Sequence, residues 1–296
     1  PLHLRFSDGA RLVFTGALGA DAELCDDTRC GVRARPRVWR LRAPGHVVVV
    51  GAARGDGDVT WDEAALDRRG TYAYVGRAPV ITALGAGVEV VADRGLPRWL
   101  AAETSRLVPA ALAEFTARTG LAPGVARVLV SHRPGGRGGG YAVRGRALTG
   151  VVQLEASGSR WRRRDAAAAA LWRELVVHEF FHLWNGQIAR RAERRDEWLS
   201  EGSSSFVAGR ALRDARLLDP TRYGRRVVAA ANRCARGLVG PLHAEAADAS
   251  YYDCGEVVQV VLDRALVASG GLWPVYARLF AEDRKSTRLN SSHATL

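Results

Sequence analysis

Hydrophobic and polar positions alternate over short segments in the first 95 residues, and Gly, Pro and Asp separate these segments. Period-two segments bounded by turn residues are typical of β-strands. We therefore predict an N-terminal antiparallel β-domain over residues 1–95. Its predicted strands are Leu2–Phe6, Arg11–Thr15, Val38–Arg42, His46–Val50, Tyr72–Val75 and Val88–Val91.

The hydrophobic spacing changes after Pro97, where Trp99–Thr119 places apolar residues at intervals of three and four. This spacing predicts a helix. Two strand candidates follow, Ala126–Ser131 and Leu148–Leu154, and the segment between them includes the glycine-rich stretch Gly135–Gly140. That stretch lacks the Lys-Ser/Thr ending of a phosphate-binding loop, so we interpret it as a plain connection. Helical patterns dominate the remainder, and we assign residues 96–282 to a second domain.

Both ends of the chain indicate a fragment with a foreign tail. The sequence begins without methionine and enters directly into strand-like residues. Residues 283–293, DRKSTRLNSSH, resemble the translation of a sequencing adaptor. We therefore expect residues 283–296 not to belong to the native protein, and the native chain to continue elsewhere.

The net charge is +12, but only one of the 43 basic residues is a lysine, Lys285, and methionine is absent. This bias toward arginine indicates a GC-rich genome. A nucleic-acid-binding face is not predicted, because aromatic residues do not interleave with the basic runs. No apolar stretch reaches the roughly 20 residues that a bilayer span needs. The basic runs Arg160–Arg164 and Arg190–Arg195 are predicted to be solvated surface, with binding of acidic peptides or membrane surfaces as the alternative.

The four cysteines, Cys25, Cys30, Cys234 and Cys254, show no Cys-x-x-Cys spacing, so a zinc ribbon or redox pair is not predicted. Cys25 and Cys30 flank a turn-like tetrad and could close a hairpin disulfide in an exported protein. Isolated reduced thiols fit the sequence equally well. A cytoplasmic and an exported location both remain open, and the oligomeric state is not indicated.

The most informative segment is Leu171–Gly186, which contains His178, Glu179 and His182 in an H-E-x-x-H pattern. Positions four apart share one face of a helix, so both imidazoles can reach one metal ion. Glu179 then lies beside the metal, where a base acting on water is needed. We predict that the helix stops at Gly186.

A catalytic zinc site usually has three protein ligands and an open position. The third candidate is Glu201 in Trp198–Gly202, nineteen positions after His182, behind helix-start residues Asp196 and Glu197. A loop over Gln187–Arg195 would reverse the chain and bring this carboxylate to the histidines. We predict a site for one Zn²⁺ per chain, although each residue taken alone could be a core histidine or a solvated acid.

These residues resemble the gluzincin metallopeptidases, and most closely the glycyl aminopeptidase family. The zinc helix of that family has a sequence very similar to HEFFHLWN, which is found here at His178–Asn185. The more distant aminopeptidase N type shares the Trp-x-x-Glu-Gly segment found at Trp198–Gly202. The resemblance spans roughly Trp99–Leu279. It implies an α+β protein, with the N-terminal β-domain followed by a thermolysin-like zincin catalytic domain that is truncated at its C-terminal helical lobe.

The resemblance also implies two further sets of site residues. Tyr252, in a Tyr-x-x-Gly pattern before the helical run Val257–Leu266, aligns with a tyrosine that stabilises the oxyanion, although an ordinary half-buried aromatic fits the sequence too. Glycyl aminopeptidases hold the substrate amine through a Gly-Gly-Leu-Glu-His motif. The nearest counterpart is Gln153, Leu154 and Glu155 before Ala156, which lacks the glycine and the histidine, so an ordinary strand-end carboxylate remains the alternative.

Together these features predict a zinc-dependent metallopeptidase that hydrolyses peptides or proteins, with both an aminopeptidase and an endopeptidase left open. Zinc would lower the pKa of water to about 7, Glu179 would receive the proton and Tyr252 would stabilise the oxyanion. The strand Val151–Leu154 is predicted to form the sheet edge that pairs with an extended peptide. The alternative is a catalytically silent relative in which the zincin fold serves as a peptide-binding or structural module.

Overall fold

The computed structural model confirms the predicted α+β class. It describes residues 3–15, 24–25, 30–31, 38–50, 52–62, 71–77, 79–85, 87–123, 127–135, 142–148, 150–185, 197–238 and 248–292. Within these residues an antiparallel sheet comes first, a mixed sheet follows, and six α-helices build the rest.

The first half of the chain forms strands β1 (His3–Arg5), β2 (Arg11–Phe14), β3 (Leu24–Cys25), β4 (Cys30–Gly31), β5 (Val38–Val49), β6 (Ala53–Asp62) and β7 (Tyr72–Gly76). Five of them make the antiparallel sheet in the order β1-β2-β7-β5-β6, and β3 pairs with β4 separately. The two strands predicted at Val38–Arg42 and His46–Val50 are one strand, β5, which is irregular between Arg42 and His46. Sequence analysis missed β6, because its Gly- and Asp-rich first half resembles a turn.

The mixed sheet contains β8 (Val80–Ala83), β9 (Glu89–Ala92), β10 (Arg127–Arg133), β11 (Ala142–Leu148) and β12 (Val151–Ser157), in the order β11-β12-β10-β9-β8. The strand β10 is parallel to β9 and β12, whereas β8 and β11 are antiparallel edges. The residues 88–91 that we placed in the N-terminal domain therefore belong to this second sheet. A local pattern identifies a strand but not its partner, so the sequence did not show that these residues join the second sheet, and the domain boundary near residue 95 stays a prediction.

Strands β11 and β12 also correct the strand predicted at Leu148–Leu154. The chain turns within this segment, and Gly150 has a φ of 69°, a conformation that suits glycine. The result is a tight antiparallel hairpin in which Leu148 pairs with Val151. Because β12 lies between β11 and β10, the prediction that Val151–Leu154 forms the sheet edge is wrong. The edge is β11.

The mixed sheet is covered on both faces. One face and the helices share the main hydrophobic core, which is centred on Phe115, Trp172, Phe180, Phe181 and Trp184. The opposite face packs on the antiparallel sheet through a second cluster that includes Leu12, Tyr72, Tyr74, Leu129 and Val151. Because the sheet is covered on both faces, successive residues of β10 and β12 are buried almost without interruption, including polar residues such as His132 and Glu155.

The helices are α1 (Arg98–Thr119), α2 (Ala166–Asn185), α3 (Glu197–Asp214), α4 (Pro220–Gly237), α5 (Asp248–Ala265) and α6 (Trp273–Ser292). The predicted helix Trp99–Thr119 is confirmed as α1. The backbone of α6 continues past residue 283 to Ser292. Residues 186–196, which include the predicted helix stop, the reversing loop and Asp196, lie outside the described residues, as do residues 136–140 of the glycine-rich stretch.

Two helices of the C-terminal part are cross-linked. Cys234 on α4 and Cys254 on α5 form a disulfide with a Cα–Cα distance of 4.7 Å. These two residues are therefore not the isolated thiols that the sequence allowed. Cys25 and Cys30 are opposite one another where β3 pairs with β4, in agreement with the predicted hairpin. None of the helices searched, all within the described residues, is long and apolar enough to cross a membrane.

Candidate metal centre

The helix α2 presents His178 and His182 on one face. Its start is capped by Asp165, whose carboxylate accepts a hydrogen bond from the backbone N–H of Ala168 at 2.7 Å. The helix is apolar on most sides and lies in the main core. The Nε2 atoms of the two histidines are 3.2 Å apart, as the spacing of four residues predicts. The packed helix therefore fixes two nitrogen ligands in position.

Glu201 of α3 completes the cluster. Its Oε2 lies 3.1 Å from Nε2 of His178 and 3.3 Å from Nε2 of His182. A tetrahedral zinc ion with Zn–N bonds of about 2.0–2.1 Å separates its ligand atoms by about 3.3–3.4 Å. All three observed separations are close to that value. The residues and their geometry thus fit a zinc site, and they form the group of possible metal ligands found among the described residues.

A layer of polar side chains orients the ligand His182. Its Nδ1 lies 2.9 Å from Oδ1 of Asn185, one turn further along α2. In the tautomer with a proton on Nδ1, this nitrogen donates to Oδ1 and leaves the Nε2 lone pair facing the cluster. The amide nitrogen of Asn185 in turn donates to the carbonyl of Ser200 at 2.8 Å and to the hydroxyls of Ser203 and Ser204 at 2.9 Å. Asn185 therefore ties the ligand helix α2 to α3.

We expect Asn185→Ala to weaken zinc binding by about 10- to 100-fold, because the ring of His182 loses the acceptor that fixes its tautomer. Competition with a chromophoric chelator measures this change in affinity. Asn232→Ala, an exposed position on α4, is the matched control and should bind zinc like the unchanged chain. Equal affinities in the two variants would contradict the orienting role of Asn185.

The cluster also favours a cation electrostatically. Burial raises the pKa of Glu201, but hydrogen bonds and charge interactions with the two histidines outweigh it and hold this pKa far below its usual range. Burial lowers the pKa of His182, yet the hydrogen bond and the charge of Glu201 raise it overall. The carboxylate of Glu201 is therefore ionised and supplies a negative charge beside two nitrogen donors.

Glu179 lies next to this cluster, and its side chain is 8% exposed. Burial is the largest influence on its pKa and raises it. Gly145 of the edge strand β11 adjoins it so closely that an added Cβ would come within 2.4 Å of Oε1 of Glu179. A glycine at this position therefore leaves room for the carboxylate. The sequence alone did not identify Gly145 as a residue of the site, because a single glycine in a strand has several explanations.

Tyr252 reaches the cluster from α5. Its ring is stacked on that of His178 with a centroid distance of 5.9 Å. Burial and the charges of Glu201 and Glu179 raise its pKa, so the phenol is neutral and keeps its proton. The neighbouring Tyr251 is 6% exposed and Tyr252 is 49% exposed. The structure thus places Tyr252, half-exposed, beside the candidate metal ligand His178.

A contact between two glycines brings α5 this close to α3. A Cβ added to Gly202 would lie 2.4 Å from Cα of Gly255, and one added to Gly255 would lie 2.1 Å from the carbonyl oxygen of Trp198. The helices therefore touch through their backbones. Gly202 follows the ligand Glu201, and Gly255 lies three residues after Tyr252, so this contact sets the distance between ligand and phenol.

The structure does not bring Gln153 and Glu155 to the metal ligands. Alternate residues of a strand point to opposite faces. Leu154 lies in the core beneath the helices, whereas Val151, and with it Gln153 and Glu155, lies on the face toward the antiparallel sheet. Glu155 is 3% exposed and forms an ion pair with Arg133 at 3.0 Å. The assignment of Gln153, Leu154 and Glu155 as an amine anchor beside the metal is therefore wrong.

Comparisons with known proteins show the fold. No protein-family model matches the chain, and no curated protein sequence matches it. The structure is similar to that of yeast LTA4 hydrolase in complex with bestatin, with a TM-score of 0.63 and 14% identity, over 94% of this chain and 45% of that chain. It is also similar to native yeast LTA4 hydrolase, with a TM-score of 0.61 and 15% identity, over 94% and 46% of the two chains.

A second structure of native leukotriene A4 hydrolase from Saccharomyces cerevisiae has a TM-score of 0.61 at 14% identity, over 94% of this chain and 45% of that one. The chain therefore spans less than half the length of these solved structures. The shared part confirms the predicted α+β fold with an N-terminal antiparallel β-sheet, which is followed by a mixed sheet and helices. The resemblance to glycyl aminopeptidases stays a prediction.

Proposed function

We propose that this chain is part of a zinc-dependent metallopeptidase. The observation that carries the proposal is the convergence of one carboxylate oxygen and two imidazole nitrogens at 3.1–3.3 Å from one another. Glu179 is adjacent to this cluster, and Tyr252 faces it. The fold shared with LTA4 hydrolase supports the proposal, since a zincin fold places these elements around a zinc ion.

His178, His182 and Glu201 would hold the zinc. When bound, zinc supplies a nucleophile by lowering the pKa of water to about 7, and it polarises the peptide carbonyl. Glu179 accepts the proton released from the water and later delivers it to the leaving amine. Its buried position suits this task, because a raised pKa brings a carboxylate nearer to the working pH. The phenol of Tyr252 donates a hydrogen bond to the oxyanion.

Removal of the phenol hydroxyl tests the role of Tyr252. We expect Tyr252→Phe to lower kcat by about 100-fold, in the range found when one oxyanion donor is removed, while zinc content stays the same. Tyr276→Phe is the matched control: Tyr276 is buried in the main core and donates to Gln259 at 2.8 Å, away from the ligands. A kcat for Tyr252→Phe equal to that of the control would remove Tyr252 from the mechanism.

An endopeptidase fits the edge strand better than a strict aminopeptidase does. The strand β11, which adjoins Glu179 through Gly145, reads Ala-Val-Arg-Gly-Arg-Ala-Leu and contains no carboxylate that could hold a free amine. The carboxylate predicted for that task, Glu155, lies on the other face of β12. We therefore propose that a free N-terminus is not required, and that N-acetylated peptides are cleaved.

The alternative is a silent zincin-fold module that binds peptides without cleaving them. The presence of Glu179 beside both histidines favours the enzyme, because a silent module has no need of a buried carboxylate there. Two measurements made together decide between them: zinc per chain by elemental analysis, and cleavage of a mixed peptide library with and without a chelator. One zinc per chain with chelator-sensitive cleavage supports the enzyme. Stoichiometric zinc without cleavage supports the silent module.

A further inference from the structure

The edge strand β11 presents different residues to its two faces. Val143 and Ala147 pack against the main core beneath α2, and Gly145 between them touches Glu179. The alternate residues Arg144 and Arg146 therefore project to the opposite face, toward the antiparallel sheet. The position of Arg146 is confirmed by its guanidinium, which lies 5.3 Å from the ring centroid of Phe14 on β2.

The two arginines differ in what stands opposite them on β12. Arg144 pairs in register with Glu155, which carries a negative charge, whereas Arg146 pairs with the uncharged Gln153. In the part of the chain that the structure describes, no carboxylate forms an ion pair with Arg146, and its side chain is exposed. Arg146 is thus an accessible cation one residue away from the position that touches Glu179.

Gln153 adds a second donor at this place. Its side chain is only 6% exposed, and its amide nitrogen Nε2 has no hydrogen-bond partner. A buried donor without a partner is costly and therefore uncommon in folded proteins, and an acceptor atom of a ligand would satisfy it. Because Gln153 lies opposite Arg146 on the same face, one anionic group can contact the cation at the surface and the amide behind it.

Neighbouring charges agree with this placement. Burial raises the pKa of Tyr72 on β7, while the charge and a hydrogen bond of Arg146 lower it, and the charge of Glu179 acts on the same phenol. Tyr72 of the antiparallel sheet and Arg146 of β11 therefore interact across the junction of the two sheets.

We propose that Arg146 and Gln153 form a subsite on the face of β11 and β12 that is turned away from the metal ligands, and that this subsite binds a carboxylate of the peptide substrate. This inference rests on the proposed peptidase function and adds a substrate class to it, namely acidic peptides. A guanidinium and an amide N–H both donate, and a carboxylate only accepts, so the match is chemical as well as geometric. The carboxylate can belong to an acidic side chain or to the C-terminus of the peptide.

Three matched peptides distinguish these two sources of the carboxylate. All are N-acetylated; one carries Glu near the scissile bond and an amidated C-terminus, one carries Gln instead, and one carries Gln with a free C-terminal carboxylate. We expect the unchanged chain to prefer an acidic peptide over the neutral one by about tenfold or more in kcat/KM, the effect of one charge-assisted hydrogen bond. The acidic peptide that is preferred shows whether the bound carboxylate belongs to a side chain or to the C-terminus.

Variants connect the preference to the two residues. We expect Arg146→Gln and Gln153→Leu each to reduce this preference at least several-fold. Arg54→Gln is the control, since Arg54 is an exposed arginine on β6, at the far edge of the antiparallel sheet. It should leave the preference and the rates unchanged. A preference that is absent in the unchanged chain, or that survives in both subsite variants, overturns the inference.

A binding measurement separates this inference from the proposed function. The Glu179→Gln protein is mixed with fluorescent forms of the same three peptides, and the dissociation constants are obtained from anisotropy. We expect tighter binding of an acidic peptide than of the neutral one by about tenfold, and loss of the difference in the Arg146→Gln, Glu179→Gln double variant. If no peptide is hydrolysed, the proposed function fails, whereas this result still supports or overturns the carboxylate subsite.

Discussion

Replacement of Glu179 by glutamine is expected to lower kcat by about 1,000-fold or more while one zinc per chain remains bound. The amide has nearly the shape of the carboxylate and fits the same pocket beside Gly145, but it cannot accept a proton. General acid–base catalysis contributes typically 10²–10⁴-fold, and Glu179 serves as both base and acid in the proposed reaction. Peptide turnover and elemental analysis on the same preparation measure the two quantities.

Glu114→Gln provides the control for this substitution. This substitution makes the same chemical change on α1, where the side chain of Glu114 is 41% exposed and pairs with Arg118. It should leave both kcat and zinc content unchanged. Hydrolysis by Glu179→Gln at the rate of the control would show that the proton acceptor is another group.

Replacement of His182 by alanine is expected to remove the metal itself. Only His178 and Glu201 would remain, and two ligands hold zinc far more weakly than the three that catalytic sites use. The alanine would also leave the amide of Asn185 without the ring that it orients. We expect zinc content well below one per chain after dialysis, and peptide hydrolysis at the level seen with a chelator.

His46→Ala is the matched control for the metal ligand. His46 lies on β5 in the antiparallel sheet and contacts Asp56 at 2.8 Å. Its loss should change neither zinc content nor hydrolysis. Circular dichroism shows whether each variant is folded, so that a loss of zinc is not the result of unfolding. Stoichiometric zinc in folded His182→Ala protein would refute the ligand set.

The clustering of His178, His182 and Glu201 could be predicted from the sequence because most of the cluster is local. A helix places residues four apart on one face, so H-E-x-x-H fixes the relation of His178, Glu179 and His182 before any tertiary structure is known. Glu201 required one further assumption, that α3 lies against α2. The change in hydrophobic period after Pro97 predicted the start of α1, which the structure confirms, whereas the fold class came from the resemblance to a known family.

The errors have a common physical origin in non-local pairing. The strands β8 and β9 look like their predecessors, and only their partner β10 assigns them to the second sheet. The turn near Gly150 divides a hydrophobic run that alternation alone cannot divide. Consequently, Glu155 was assigned to an edge that is in fact covered by β11.

Bonds and contacts that depend on the packing between helices could not be predicted from the sequence either. The disulfide of Cys234 and Cys254 joins residues 20 positions apart, and only the contact of α4 with α5 brings them together. Asn185 is the last residue of the matched motif HEFFHLWN, but the motif does not show that its side chain forms hydrogen bonds with residues of α3. Hydrogen bonds of this kind depend on which helix faces are in contact.

The contact between Gly202 and Gly255 couples two positions that are distant in the sequence. Neither glycine tolerates a methyl group while the other helix stays in place, so a change at either position must be accompanied by a shift of α5 and of the phenol that it carries. A homologue that retains the histidines but has lost either glycine would therefore be a candidate pseudoenzyme. Genome surveys could use the pair as a marker of working catalysts.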